Sequence, residues 1–306
     1  MNIVRAEDYH VPVMLQECLE GMQLRPEGCY VDVTFGGGGH SRAILKELKG
    51  AGMLYSFDQD PDAAARAPQQ PCFTFIASNF RHLARFMDYY DRLGQVDAIL
   101  ADLGVSSHHF DAMERGFSFR DETPLLDMRM NNRAGLSARD LLNSYEEEQL
   151  ADVLYRYGEL KQSRSLAKLI VKARSAAPLQ TVGDLIAALR PALRPDQEKK
   201  LLACIFQALR IEVNGELKAL EELLEASLRV LRPGGRLVVM TYHSLEDRIV
   251  KNFLKGTDDS AEAQIYGTAR SAWRLVTRKP LVASAEELER NPRSRSAKLR
   301  IAERIR

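Results

Sequence analysis

Apolar and polar positions along the chain fall into short buried-strand runs separated by helical repeats. Tyr30 to Phe35, Met53 to Phe57, Cys72 to Ile76 and Val96 to Ala101 are runs of five or six largely apolar residues, the pattern of strands covered on both faces. Between them, Ser41 to Leu48 and Phe80 to Tyr90 repeat with helical period, and Asp60-Pro61 reads as a helix-starting turn. After Asp102 the alternation stops. From Ser137 to about Val213 helical periodicity dominates, including helices over Asp140–Tyr157 and Arg164–Arg174, with Pro178, Pro191 and Pro195 marking interruptions. The sheet pattern then resumes. Leu217, Leu220, Leu224, Leu228 and Leu231 form one helical stripe, Pro233-Gly-Gly235 ends it, and Arg236 to Thr241 is a fifth strand. Trp273–Thr277 and Ala297–Arg304 form a final pair, the latter alternating at Leu299 and Ile301. The expected fold is α/β, a doubly wound, Rossmann-like sheet made of residues 1–105 and 214–306, with an inserted loop and helical domain at 106–213.

The first strand runs into Gly36-Gly-Gly-Gly39. Without Cβ atoms such a turn lets a ligand approach main-chain N–H groups, and the helix that follows begins at the same place. The lysine of a phosphate-binding P-loop is missing, since Gly39 is followed by His40-Ser41, which argues against ATP or GTP. The dinucleotide fingerprint is met only imperfectly by Gly36, Gly38 and Ser41. Read as acidic-x-small-x-Gly-x-Gly, the run Asp32, Thr34, Gly36, Gly38 has the form of an S-adenosylmethionine loop, in which a nearby carboxylate can pair with the methionine ammonium. Asp58 ends the second strand 22 residues after Gly36, close to the spacing of about 20 expected of an acid that accepts from ribose hydroxyls.

In open α/β sheets ligands bind beyond the carboxyl ends of the strands. That position is held by Asp102-Leu-Gly-Val-Ser-Ser107 after the fourth strand and by Tyr242-His-Ser-Leu-Glu-Asp-Arg248 after the fifth. Ser244 to Asp247 also has the form of a helix cap with its acid three residues on.

Charge changes the picture only when it is read locally. The 306 residues carry a net charge of +1, with 45% hydrophobic and 28% charged positions. Yet Arg156–Lys200 has ten Lys/Arg against four acids, and Arg270–Arg306 has eleven against four. Two basic segments beside a nucleoside-type site point to a nucleic-acid substrate. Cys18, Cys29, Cys72 and Cys204 are scattered, so neither a metal site nor a disulfide framework is indicated. No apolar run approaches the roughly 18 residues of a membrane span, and no signal-peptide pattern opens the chain. The expected location is the cytoplasm.

The motifs Asp32-Val-Thr-Phe-Gly-Gly-Gly-Gly-His-Ser41, Asp102-Leu-Gly-Val-Ser-Ser107, Glu114-Arg-Gly-Phe-Ser-Phe119, Leu126-Asp-Met-Arg-Met130, Phe206-Gln-Ala-Leu-Arg-Ile211, His243-Ser-Leu-Glu-Asp-Arg-Ile-Val-Lys251 and Asn291-Pro-Arg-Ser-Arg-Ser296 resemble, in order and over nearly the whole chain, the RsmH/MraW family of bacterial 16S rRNA methyltransferases. The resemblance implies a class I S-adenosylmethionine-dependent methyltransferase with a helical insertion, acting on the exocyclic N4 of a decoding-region cytidine in the small ribosomal subunit, and it is compatible with a homodimer. It further implies that Gly38, Gly39 and His40 contact S-adenosylmethionine, Asp58 its ribose, and Phe80 and Asp102 its adenosine or methionine ends. His109 stands where the family commonly has glutamine, and Asn131 where it has aspartate. An imidazole offers one hydrogen bond where an amide offers two at one end.

The chemistry asks for an acceptor that orients the cytosine amine and for a dry site. Asp102, with His243 and Asp247, is the expected catalytic set. Asp127 and Arg129 are expected to contact the base or a phosphate, and Phe117, Phe119 or Tyr242 to stack on an extruded base. Two rivals have other chemistry: a nicotinamide-dependent oxidoreductase, and a non-catalytic RNA-binding assembly factor that keeps the methyltransferase shell.

Overall fold

A computed structural model of the chain describes residues 12–104, 115–133, 135–256 and 271–305. The chain divides into two compact units, 1–104 with 217–306, and 105–216.

The first unit is built on one seven-stranded sheet. Its strands are β1 (Cys29–Asp32), β2 (Met53–Asp58), β3 (Phe73–Ala77), β4 (Val96–Asp102), β5 (Leu231–Thr241), β6 (Trp273–Leu275) and β7 (Lys298–Arg304), in the spatial order β3-β2-β1-β4-β5-β7-β6. β1 to β5 pair in parallel, and β7 runs antiparallel to both β5 and β6. The order reverses between β1 and β4, so their C-terminal ends flank the crevice where a doubly wound sheet receives its ligand.

Alternate residues of each central strand feed opposite cores. Tyr30, Leu54, Ala98, Leu100, Val238 and Met240 join Met14, Cys18 and Met22, around the helix Leu15–Met22, and Ile44, Leu45 and Leu48 of the helix Gly39–Leu48. Val31, Tyr55, Ile99, Leu237 and Val239 join Leu83 and Met87 of Leu83–Tyr89, Leu220 and Leu224 of Glu216–Val230, and Val250 and Leu254 of Ser244–Lys255. Burial on both faces explains why these strands read as continuous apolar runs.

The second unit is helical: Ala138–Ser144, Glu147–Gly158, Ser163–Arg174, Val182–Leu189 and Glu198–Asn214. Leu141, Leu154, Leu166, Ile170, Leu185, Ile205 and Leu209 form its core, joined by Phe117, Leu126 and Met128 of the preceding loop.

Several boundaries differ from the periodicity. The single helix expected over Asp140–Tyr157 is two, because Tyr145 is extended (ψ 141°) and the Gln149 side chain accepts from Glu146 N at 2.9 Å, starting a new helix. The helix after β5 is capped by His243 with Glu246, one residue earlier than the Ser244–Asp247 pattern suggested. The expected helix Phe80–Tyr90 opens as a 3-10 turn, Phe80–His82. Helix Leu15–Met22 was not foreseen; its amphipathic pattern is only two turns long.

Candidate functional site

The glycine turn is fixed by what surrounds it. Asp32, at the end of β1, is fully buried. It accepts from Thr34 N at 3.0 Å and from Ser41 Oγ at 2.6 Å, and Ser41 Oγ also meets Ser56 Oγ on β2 at 2.8 Å. Burial raises the Asp32 pKa, while the Ser41 hydroxyl, the neighbouring His40 and the Thr34 donors act to lower it. Asp32 therefore latches the turn onto the following helix. Both its oxygens accept hydrogen bonds within the fold.

Gly38 has φ +76°, and its N–H donates to Phe35 O at 2.7 Å. A Cβ there would lie 2.7 Å from the Phe35 ring and 2.8 Å from Arg42 Nη1; at Gly39 it would lie 2.5 Å from Pro12. The turn thus presents main chain at the start of a ten-residue helix, where N–H groups and the helix dipole favour an anionic or electron-rich ligand group. Gly38→Ala is expected to impose a left-handed alanine costing about 1 kcal/mol or more and to push the turn off Phe35. Affinity for a ligand seated on this turn should fall several-fold, as calorimetry would show.

Asp58 is held as an oriented acceptor. Its Oδ2 takes the Gly36 N–H at 2.7 Å and its Oδ1 the Asp60 N–H at 2.8 Å, joining the tip of β2 to the glycine turn. Beside it, Asn79 Nδ2 donates to Gln59 Oε1 at 2.8 Å, and Asn79 Oδ1 accepts from Arg81 N, capping the turn that begins at Phe80. Phe80 packs partly buried on the sheet core. The tips of β2 and β3 therefore form one side of the site.

Asp102 forms the other. Its N–H donates to Thr34 Oγ1 at 2.7 Å, Tyr242 Oη donates to its Oδ1 at 2.7 Å, and its Oδ2 lies 3.7 Å from His40 Nδ1. His40 Nε2 donates to Val13 O at 3.2 Å, which fixes the ring beside Asp102. Burial pushes the Asp102 carboxyl up to about 6, against the lowering effects of His40 and the Tyr242 hydroxyl; Asp32 and Glu246 add to the rise. A strand-tip carboxylate half protonated near pH 6 is a poised proton acceptor.

Other expected residues are engaged differently. The Tyr242 ring packs beside Gly104 and the sheet core, and its hydroxyl is committed to Asp102, so it braces an acid instead of stacking on a base. His243 caps the helix Ser244–Lys255, with Nδ1 accepting from Glu246 N at 3.5 Å and Nε2 3.1 Å from Glu246 Oε1. Asp247 accepts from Arg300 Nε at 2.7 Å and lies 3.5 Å from Lys298 Nζ, both on β7. Burial alone would raise its pKa, but Arg300 and Lys298 bring it below the ordinary carboxylate range. That is a structural ion pair.

In the helical unit, Asp127 and Arg129 form a bidentate pair, 2.9 and 2.7 Å, that holds the Asp127 pKa low despite burial. Phe117 is 6% exposed over the core, and Phe119 meets Phe206 edge to face at 5.4 Å between ring centroids. Both aromatics pack within their own unit. His109 lies outside the described residues.

Some participants were not found from the sequence. Thr34 ties the end of β1 to β4 and was read from the sequence only as the small position of the loop. Arg295 and Lys298 line a cleft of about 270 Å³ with Tyr242, His243 and Ser244, beyond the end of β5; their signal was the basic excess near the C-terminal end. No helix among the described residues is long and apolar enough to cross a membrane.

The MraW methylase family matches residues 7–305. Ribosomal RNA small subunit methyltransferase H of Porphyromonas gingivalis is 63% identical over 303 residues, covering 97% of each chain. The proteins of the same name from Parabacteroides distasonis and Bacteroides thetaiotaomicron are 61% and 57% identical, each over 97% of this chain and 98% and 97% of their own.

Proposed function

The chain belongs to the MraW methylase family, and from that premise we propose that it methylates the exocyclic N4 of a decoding-region cytidine in 16S rRNA of the small ribosomal subunit, with S-adenosylmethionine as donor. The reading places the protein in the cytoplasm, where ribosomal subunits are its partners. The single observation that carries it is the pair of strand-tip carboxylates, Asp58 and Asp102, held by backbone and hydroxyl donors on either side of a glycine turn whose Gly38 has a left-handed φ of +76°.

That arrangement fits the donor. Asp58 is oriented to accept from the ribose hydroxyls, Gly38 and Gly39 leave the main chain open to close approach, and Phe80 offers a partly buried ring for the adenine. When bound, S-adenosylmethionine supplies an electrophilic methyl group on a positively charged sulfur.

The residues of the chain do the rest. The cytosine amine is a weak nucleophile because its lone pair is delocalised into the ring. Asp102 Oδ2 accepts one amine N–H and holds the nitrogen in line, while Tyr242 and Thr34 fix the carboxylate and its backbone. As the nitrogen is alkylated its proton passes to Asp102 Oδ2, beside which the His40 ring lies at 3.7 Å. The assembly-factor reading would leave these oriented acceptors without a use.

The test is incubation with labelled S-adenosylmethionine and small subunits lacking the modification, followed by nucleotide mapping. Label at N4 of one decoding-region cytidine is expected. Absence of donor uptake by calorimetry on the folded protein would overturn the reading.

A further inference from the structure

On the far edge of the sheet from β3, a cleft of about 220 Å³ opens between the last turns of helix Ser244–Lys255, the segment after β6, and β7. Leu254 and Ile301 contribute an apolar floor. Lys251, Lys255, Arg278 and Lys279 line it, and among the described residues no acid does. A fifth cation in the lining, Arg300, is committed to Asp247 at 2.7 Å. The other four have no ion pair among the described residues. Four positive charges that no described acid pairs stand around one concavity and repel each other, and a bound anion removes that repulsion.

A second observation is independent of charge. Thr277 Oγ1 lines the same cleft, is buried, and has no hydrogen-bond partner among the described residues. Buried hydroxyls are nearly always paired, and this one both donates and accepts. An anionic oxygen seated among the four cations would give it an acceptor.

We propose that this cleft grips a backbone phosphate of the rRNA segment flanking the methylated cytidine; the assignment rests on the rRNA substrate proposed above. An apolar floor beneath a basic rim suits a nucleotide, whose sugar is apolar on one face and whose phosphate is charged. The rim also draws on the excess of basic over acidic residues in 270–306. β7 and β6 lie two and three strands from β4, about 10–15 Å at the usual strand spacing. The cleft therefore holds the substrate strand away from the reacting base and acts on affinity, not on methyl transfer.

The test uses the full chain with Lys251→Gln, Lys255→Gln, Arg278→Gln and Lys279→Gln combined, and separately Thr277→Val. Binding of a 16S rRNA fragment is followed by fluorescence anisotropy across a salt series, beside donor calorimetry and methylation kinetics. The combined variant is expected to bind RNA at least about tenfold more weakly and to lose about 0.7 from the salt slope for each single-strand phosphate contact removed. RNA KM should rise while kcat and donor affinity stay unchanged. Thr277→Val should weaken RNA binding several-fold at an unchanged melting temperature, and Lys251→Arg, which keeps the charge, should bind as the unmodified protein does. If the combined variant does not fold, Lys251→Gln/Lys255→Gln and Arg278→Gln/Lys279→Gln carry the comparison. Wild-type RNA affinity and salt slope in the variants would overturn the proposal. Failure of the rRNA reading would look different: the unmodified protein would not methylate small subunits, whatever its cleft variants did to RNA binding.

Discussion

Replacing Asp102 by asparagine is expected to make the protein more stable at neutral pH and to slow methyl transfer at least about a hundredfold. Burial pushes the carboxyl up to about 6, so the folded protein holds this proton more tightly than the unfolded chain does. Between the ordinary carboxylate range and pH about 6 the folded state therefore binds more protons, and stability falls as pH rises through that window. Above it the folded protein carries a disfavoured charge, worth on the order of 2–3 kcal/mol for a shift of this size. Asparagine keeps an oxygen for the Tyr242 hydroxyl at 2.7 Å but has no charge and cannot take a proton. Thermal melts at pH 7 should show a gain of a few degrees that shrinks below pH 5. Wild-type kcat should fall on the acid side with an apparent pKa near 6. Tyr242→Phe removes a donor to the ionised carboxylate and should move that limb upward. A wild-type rate with no acid limb, or an asparagine variant of normal rate, would remove Asp102 from the proton path.

Asp58→Ala should abolish tight donor binding while leaving the fold intact. The carboxylate organises both the Gly36 and the Asp60 N–H groups, and in the proposed function it also accepts from the ribose. Hydrogen bonds to a charged group are worth about 1.5–3 kcal/mol each, so losing even one costs roughly ten- to a hundredfold in affinity. Calorimetry with donor or demethylated product should register that loss. At saturating donor, kcat should recover to within a few-fold, because Asp58 is not on the amine side. Asp58→Asn, which keeps one acceptor oxygen, should fall between. An alanine variant with unchanged donor affinity would refute the assignment.

The parts of this architecture that the sequence displayed are those set by short-range rules. Buried parallel strands are continuous apolar runs, a glycine turn must follow β1, and acids at strand ends lie in the crevice whatever the loops do. That placed Asp58 and Asp102. What stayed hidden depends on partners far along the chain. Tyr242 looks like a free aromatic beside a strand tip until β5 is seen next to β4, which brings it to an acid 140 residues away. Asp247 looks like a pocket acid until β7 supplies Arg300 and Lys298. Asp32 carried the sequence signature of the loop, yet burial turned it into a latch. Local competition explains the remaining differences: within the stretch Asp140–Tyr157, the Glu146–Gln149 bond ends one helix and starts another without any proline or glycine to mark it.

The position of β7 has a consequence for how the molecule is made. It is the last strand in the sequence, yet it lies between β5 and β6, so β6 has no edge to join until β7 has docked. A ribosome releasing this polypeptide from its N-terminal side would expose Trp273–Leu275 as an orphan ribbon, with Asp247 still lacking Arg300. The basic cleft, lined in part by Arg300 and Ile301 of β7, is therefore incomplete until that strand has paired.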